Sequence, residues 1–198
     1  MRSYVRPLFL ALLACGAAAA HAVDAEHPAT PHPWVRAGEG APARNASNIG
    51  DTDLKFITGA TQAGLAEVAA GRLALQRSRN ARVREYAQML VQDHQAANAR
   101  LQQIAQAKGL KPPTQLSRDR QRDLQDLQRR KDDEFDQAFL RRMVQDHQKA
   151  IDLFGHEVKG RHQDGDLKDF AQQTITRLER HLAAAETLQK DSGHLPGA

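Results

Sequence analysis

Four stretches of this chain place small or apolar residues at steps of three and four, a spacing that only a helix burying one face satisfies. The first runs Phe56, Ala60, Ala63, Glu67, Ala70, Ala74, and the second Val83, Ala87, Leu90, His94, Ala97, Leu101, Ile104. The third runs Asp136, Leu140, Met143, His147, Ala150, Phe154, Val158, and the fourth Leu167, Ala171, Thr174, Leu178, His181, Ala185, Leu188. Aromatic residues make up only 5% of the chain, so these faces are narrow and suit closely packed helices rather than sheets.

Local signals set the ends. Asp51, Thr52 and Asp53 are good caps for a first helix reaching about Gln76, and Ser78-Arg79-Asn80 makes a short turn. A second helix from about Ala81 to Lys108 stops at Gly109, with Pro112 and Pro113 beyond it. Ser117 caps a short charged helix through Arg130 whose apolar content is little more than Leu116, Leu124 and Leu127, which reads as a crossover. The third long helix is expected from Asp132 or Asp133 to Lys159, and the fourth from Asp166 to Lys190, with a tail over 191–198. Two short turns and one long crossover joining four long helices specify an all-α, ferritin-like four-helix bundle over residues 51–190.

Upstream the character changes. Arg2 and Arg6, the apolar run Leu8 to Ala20 and the small-residue site Ala20-His21-Ala22 form a signal-peptide pattern over residues 1–22. Export to the periplasm or envelope is the expectation. Two processing routes fit: cleavage after Ala22, or lipidation at Cys15 within Leu12-Leu13-Ala14-Cys15-Gly16, which would make a membrane-anchored lipoprotein. Residues 23–50, punctuated by Pro28, Pro31, Pro33 and Pro42, read as a disordered linker. No later segment is apolar enough to be a transmembrane span. Of the 28 basic residues Arg2 and Arg6 lie in the signal, leaving 26 against 24 acidic ones with the signs interspersed. Such a surface is solvated, and nucleic acid is not an expected partner. An envelope protein or a second copy of the chain remains open as a partner.

The four seams share one anomaly. Near its centre each carries an ionisable residue where the spacing calls for an apolar one: Glu67, His94, His147 and His181. Two of the histidines sit in a repeated Val-Gln-Asp-His-Gln, at 91–95 and 144–148. A buried Glu or His is costly unless paired or coordinated, so four at helix centres ask for a common explanation. With a rise of about 1.5 Å per residue, His147 and His181 differ by about 3 Å along the bundle, and Glu67 and His94 by about 6 Å, offsets within side-chain reach. Three imidazoles and a carboxylate suit one zinc, iron, manganese or copper ion, with Asp93 and Asp146 as supporting carboxylates for the rings. The competing explanation is a metal-free, hydrogen-bonded polar core that fixes helix register. No phosphate loop, nucleophile elbow or Cys-His pair is present, so nucleophilic catalysis has no footing.

Several fragments together carry a resemblance. Phe56-Ile57-x-x-Ala60 and Gly64-x-Ala66-Glu67, then Tyr86-Ala87-Gln88-Met89-Leu90-Val91-x-Asp93-His94, are followed by Phe135-Asp136-x-x-Phe139-Leu140-x-x-Met143-Val144-x-Asp146-His147 and Leu178-x-x-His181-Leu182. In that order, over about residues 51–190, the set resembles the bacterial domain-of-unknown-function family 4142. The resemblance implies an exported or lipid-anchored ferritin-like bundle and brings no assigned substrate or functional residues. Di-iron bundles use Glu-x-x-His pairs, and here no Glu precedes a His at that spacing, which argues against a ferroxidase centre. Three readings follow: a non-enzymatic bundle with a Glu/His metal site, a metal-free structural or interaction module of the envelope, and a metal-dependent redox or stress enzyme.

Overall fold

The computed structural model describes residues 49–161 and 164–192. The expected signal peptide, Cys15, nearly all of the linker and the end of the tail lie outside the described residues. Five helices follow one another: α1 (Asp51–Arg77), α2 (Ala81–Ala107), α3 (Arg118–Gln128), α4 (Asp132–Lys159) and α5 (Gly165–Ser192). These are the four expected long helices and the crossover helix, with ends displaced by only a residue or two. Asn80 accepts the N–H groups of Arg82 and Val83 to start α2, and Ser117 accepts from Arg120 to start α3. Gly109 takes φ +75° just beyond α2, the left-handed conformation that glycine tolerates without a Cβ penalty.

Ion pairs fix the directions. Arg77 reaches Asp132, and Arg82 reaches Asp191, joining the end of α1 and the start of α2 to the start of α4 and the end of α5. At the opposite end Lys108 pairs with Asp164 and Asp166, joining the end of α2 to the start of α5. Helices α2 and α4 therefore run the same way, and the connection through α3 carries the chain back along the bundle. Helices α1 and α2 pack together, as do α4 and α5, while α1 also packs on α4 and α2 on α5. Helix α3 lies against α1 and α4. No helix among the described residues is long and apolar enough to cross a membrane.

Nearly every seam position is buried, Ala97, Asp136 and Val158 being partly so. The core falls into two apolar lobes. One gathers Ala74, Leu90, Phe135, Phe139, Met143 and Ala185 with their neighbours, and the other gathers Phe56, Ala60, Leu101, Phe154, Phe170 and Leu178. On each long helix the ionisable seam residue lies between the two: Glu67 between Ala60 and Ala70, His94 between Leu90 and Leu101, His147 between Met143 and Ala150, His181 between Leu178 and Ala185. One polar layer thus divides the core.

Candidate metal centre

Sequence spacing alone requires that these four side chains point inward, and the structure brings them together at one level. Glu67 and His181 are 1% exposed, His147 0% and His94 6%. The three imidazole rings form a near-equilateral triangle, with centroids 5.6, 5.2 and 5.3 Å apart. One ring nitrogen from each lies within 4.8 Å of the other two, a grouping that a small inward movement of the rings would bring onto a single ion. Glu67 flanks this set rather than belonging to it.

Hydrogen bonds at the backs of the rings decide where their lone pairs go. The Nδ1 of His147 lies 2.8 Å from the carbonyl oxygen of Met143, one turn earlier on α4. A carbonyl only accepts, so Nδ1 carries the hydrogen and the Nε2 of the neutral ring carries the lone pair. His181 is fixed the other way round: its Nε2 donates to Asp93 Oδ2 at 2.9 Å, which leaves the lone pair on Nδ1. For His94, Nδ1 faces Glu67 Oε2 at 2.9 Å, and the buried Nε2 meets no hydrogen-bond partner among the described residues. Each ring is therefore anchored through one nitrogen and has the other free, the arrangement that orients imidazole ligands of metals.

Electrostatics favour a neutral ring at His181. Burial lowers the basicity of His181, the nearby His94 and His147 lower it further, and Asp93 opposes them without reversing the shift. Burial works against an ionised Glu67, and what brings its carboxyl down to about 2 is positive charge at His94, His147 and His181 together with the hydrogen bond to His94, a compensation that neutral rings alone do not supply. Asp93 is held by Arg177 at 2.6 Å as well as by His181, and its carboxyl is lowered against the opposing effect of burial.

Two expectations change. Glu67, expected as a ligand, sits behind the rings, 2.9 Å from His94 Nδ1 and 3.5 Å from His147 Nδ1. Asp146, expected to support a histidine as Asp93 does, instead pairs with Arg120 of α3 at 3.0 Å and Arg142 at 2.7 Å. A side chain one position from His147 points about 100° away from it, here toward the crossover helix. The Met143 carbonyl takes the role that Asp146 was expected to fill. Arg177 was missed because its partner is 84 residues away and no local spacing announces it.

The fold and this layer define a class: a ferritin-like four-helix bundle whose core is crossed by buried histidines. The chain belongs to the family described as "Domain of unknown function (DUF4142)", whose model matches residues 38–188. A crystal structure described as a DUF305 fragment from Deinococcus radiodurans is similar with a TM-score of 0.63 at 17% identity, covering 75% of this chain and 99% of that one. At that identity the likeness is one of fold. No match to a curated protein is found.

Proposed function

We propose that this protein is an exported bundle that binds one transition-metal ion on His94, His147 and His181, with Glu67, Asp93 and the Met143 carbonyl holding the rings. One observation carries the reading. His147 Nε2 and His181 Nδ1 are 3.3 Å apart, and both are the lone-pair nitrogens of their rings. Two facing lone pairs repel unless a cation lies against both. A proton is a poor candidate on His181, whose basicity is lowered by burial and by its two imidazole neighbours. Metal–imidazole bonds of about 2.0–2.1 Å spanning that 3.3 Å separation subtend roughly 107°, close to a tetrahedral edge. A cation would also compensate Glu67, a buried anion whose Oε1 meets no hydrogen-bond donor among the described residues.

Neutral nitrogen ligands favour zinc, copper or iron over manganese. Three protein ligands leave a tetrahedral ion one position for water or a small ligand, so binding and chemistry at that position are both compatible with the set. Export rests on the Arg2, Arg6, Leu8 to Ala20 and Ala22 pattern, and mass spectrometry of the mature N-terminus distinguishes cleavage after Ala22 from lipidation at Cys15.

The test is metal analysis of protein purified without a histidine tag, with thermal melts before and after chelation and after return of Zn²⁺ or Cu²⁺. Bound metal near one ion per chain and a chelator-dependent loss of stability are expected, and both should vanish in His147→Leu. Absence of bound metal, with melts indifferent to chelator and to added ions, would overturn the reading in favour of a register-fixing polar core.

A further inference from the structure

Away from the histidines, the bundle end where α1 and α5 begin and α2 and α4 finish holds a second buried polar group. Glu157 of α4 is 1% exposed, and neither carboxylate oxygen meets a hydrogen-bond donor among the described residues. Beside it lies the carboxylate of Asp53 on α1, also 1% exposed. Asp53 is committed as an acceptor on both oxygens: Oδ2 takes the N–H of Gly50 at 2.9 Å and Oδ1 the N–H of Asp164 at 3.1 Å. Both oxygens of Asp53 therefore face donors, and a hydrogen shared with Glu157 is best placed on Glu157. Among the described residues, a second buried carboxylate anion beside it would have only the weak influence of Lys168 to offset the repulsion.

Charged groups around Glu157 do not supply that offset. From α1 comes Asp53, and from the turn before α5 comes Asp164, both negative. Lys168 of α5 acts on it only weakly, as the smallest of the influences. Lys108 of α2 spends its ammonium on Asp164 and Asp166, at 2.8 Å from each.

We propose that Glu157 holds a proton that it donates to Asp53, making the carboxyl–carboxylate pair a pH-sensitive latch that ties the start of α1 and the α4–α5 turn to the end of α4. With the proton in place, Asp53 joins three segments through Gly50, Asp164 and Glu157. Without it, two carboxylates meet one turn from the edge-to-face contact of Phe56 with Phe154, whose centroids are 4.9 Å apart. Burial first, then Asp53 and Asp164, push the Glu157 carboxyl up to about 7 from an ordinary 4.5. The sign follows. Below the ordinary value Glu157 is neutral in folded and unfolded chains alike, and the latch contributes fully. As pH rises toward 7 the unfolded chain releases this proton while the folded one keeps it, so the contribution shrinks, and it is gone once the folded carboxyl ionises.

Thermal melts of the full chain in chelator, from about pH 5 to about pH 9, compare wild type with Glu157→Gln, whose amide still donates to Asp53. The other titrating groups are common to both proteins, so the difference isolates Glu157. Wild type should lose stability relative to Glu157→Gln as pH rises from about 5 to about 7, with no further divergence above that. In parallel, the side-chain carboxyl carbon of Glu157, followed by NMR in the wild type, should titrate near 7. Parallel melting curves, or a Glu157 midpoint in the ordinary carboxylate range, overturn the latch. So does a rise in melting temperature when calcium is added in melts without chelator, if Glu157→Gln abolishes it, since a cation rather than a proton would then join the pair. If Glu157→Gln fails to fold, the wild-type titration alone decides.

Discussion

His94 and His147 look equivalent in the repeated pentapeptide, yet their surroundings make them unequal. His94 is the hydrogen-bond partner of Glu67, a fully buried carboxylate, whereas His147 spends its Nδ1 hydrogen on a backbone carbonyl. His94→Leu therefore strands a buried charge and should cost about 3–5 kcal/mol in metal-free protein. Adding Glu67→Leu to it should recover most of that loss, because the charge is removed with its partner. His147→Leu replaces one buried ring by a side chain of similar volume, so chemical denaturation of the metal-free protein should register a change below about 1.5 kcal/mol. Tyr86 offers a converse case. Its hydroxyl is buried without a hydrogen-bond partner among the described residues, and burial and then Glu67 raise its pKa, keeping it protonated. Tyr86→Phe should leave stability unchanged or raise it by about 1 kcal/mol. At this scale the sequence identified the inward residues and missed what they touch. Val158 was the expected last seam position of α4, but the helix turns Glu157 inward against Asp53 and leaves Val158 partly buried. Steps of three and four both keep a face, so spacing could not choose between them.

Helix ends were legible because their chemistry is local: a cap accepts N–H groups two or three residues away, and a glycine stop depends on its own φ. Asn80→Ala should cost about 1 kcal/mol through the lost bonds to Arg82 and Val83, measured by urea denaturation. Packing between helices was less legible. A Cβ on Gly71 would lie 2.9 Å from Val91 Cγ2 and 3.1 Å from the Ala87 carbonyl oxygen, so this glycine lets α1 and α2 approach closely. Gly71→Ala should destabilise by about 1–3 kcal/mol despite the better helix propensity of alanine, because backbone cannot give way as a side-chain tip can. The crossover helix was correctly read as a solvated, charged element, but its attachment was not visible in its own composition. Asp146, 5% exposed, binds Arg120 of α3 and Arg142 of α4, and Arg142 also pairs with Asp123 of α3. A short helix with few apolar residues is thus fastened by charge to the outside of α4.

Across the whole molecule, the histidine layer interrupts the core between two apolar lobes, so its occupancy should govern global stability. With free metal at a hundred times its dissociation constant, binding to the folded state alone adds about 2.7 kcal/mol. For a domain of this size that corresponds to a rise of roughly 10 °C in melting temperature, which chelator should remove. The bundle architecture, the four inward-facing ionisable residues and the small offset within each helix pair were determined by the sequence by itself, because helical period, caps and rise per residue are properties of neighbouring positions, whereas the level of one pair against the other lay hidden behind the crossover. Only the tertiary structure decided that Glu67 stands behind the rings, that Asp93 and not Asp146 orients a histidine, that Arg177 backs Asp93, and that Glu157 meets Asp53. Those outcomes depend on the rotation of each helix against its neighbours. A turn of tens of degrees, too small to change which residues count as buried, is enough to exchange a ligand for the group that orients it.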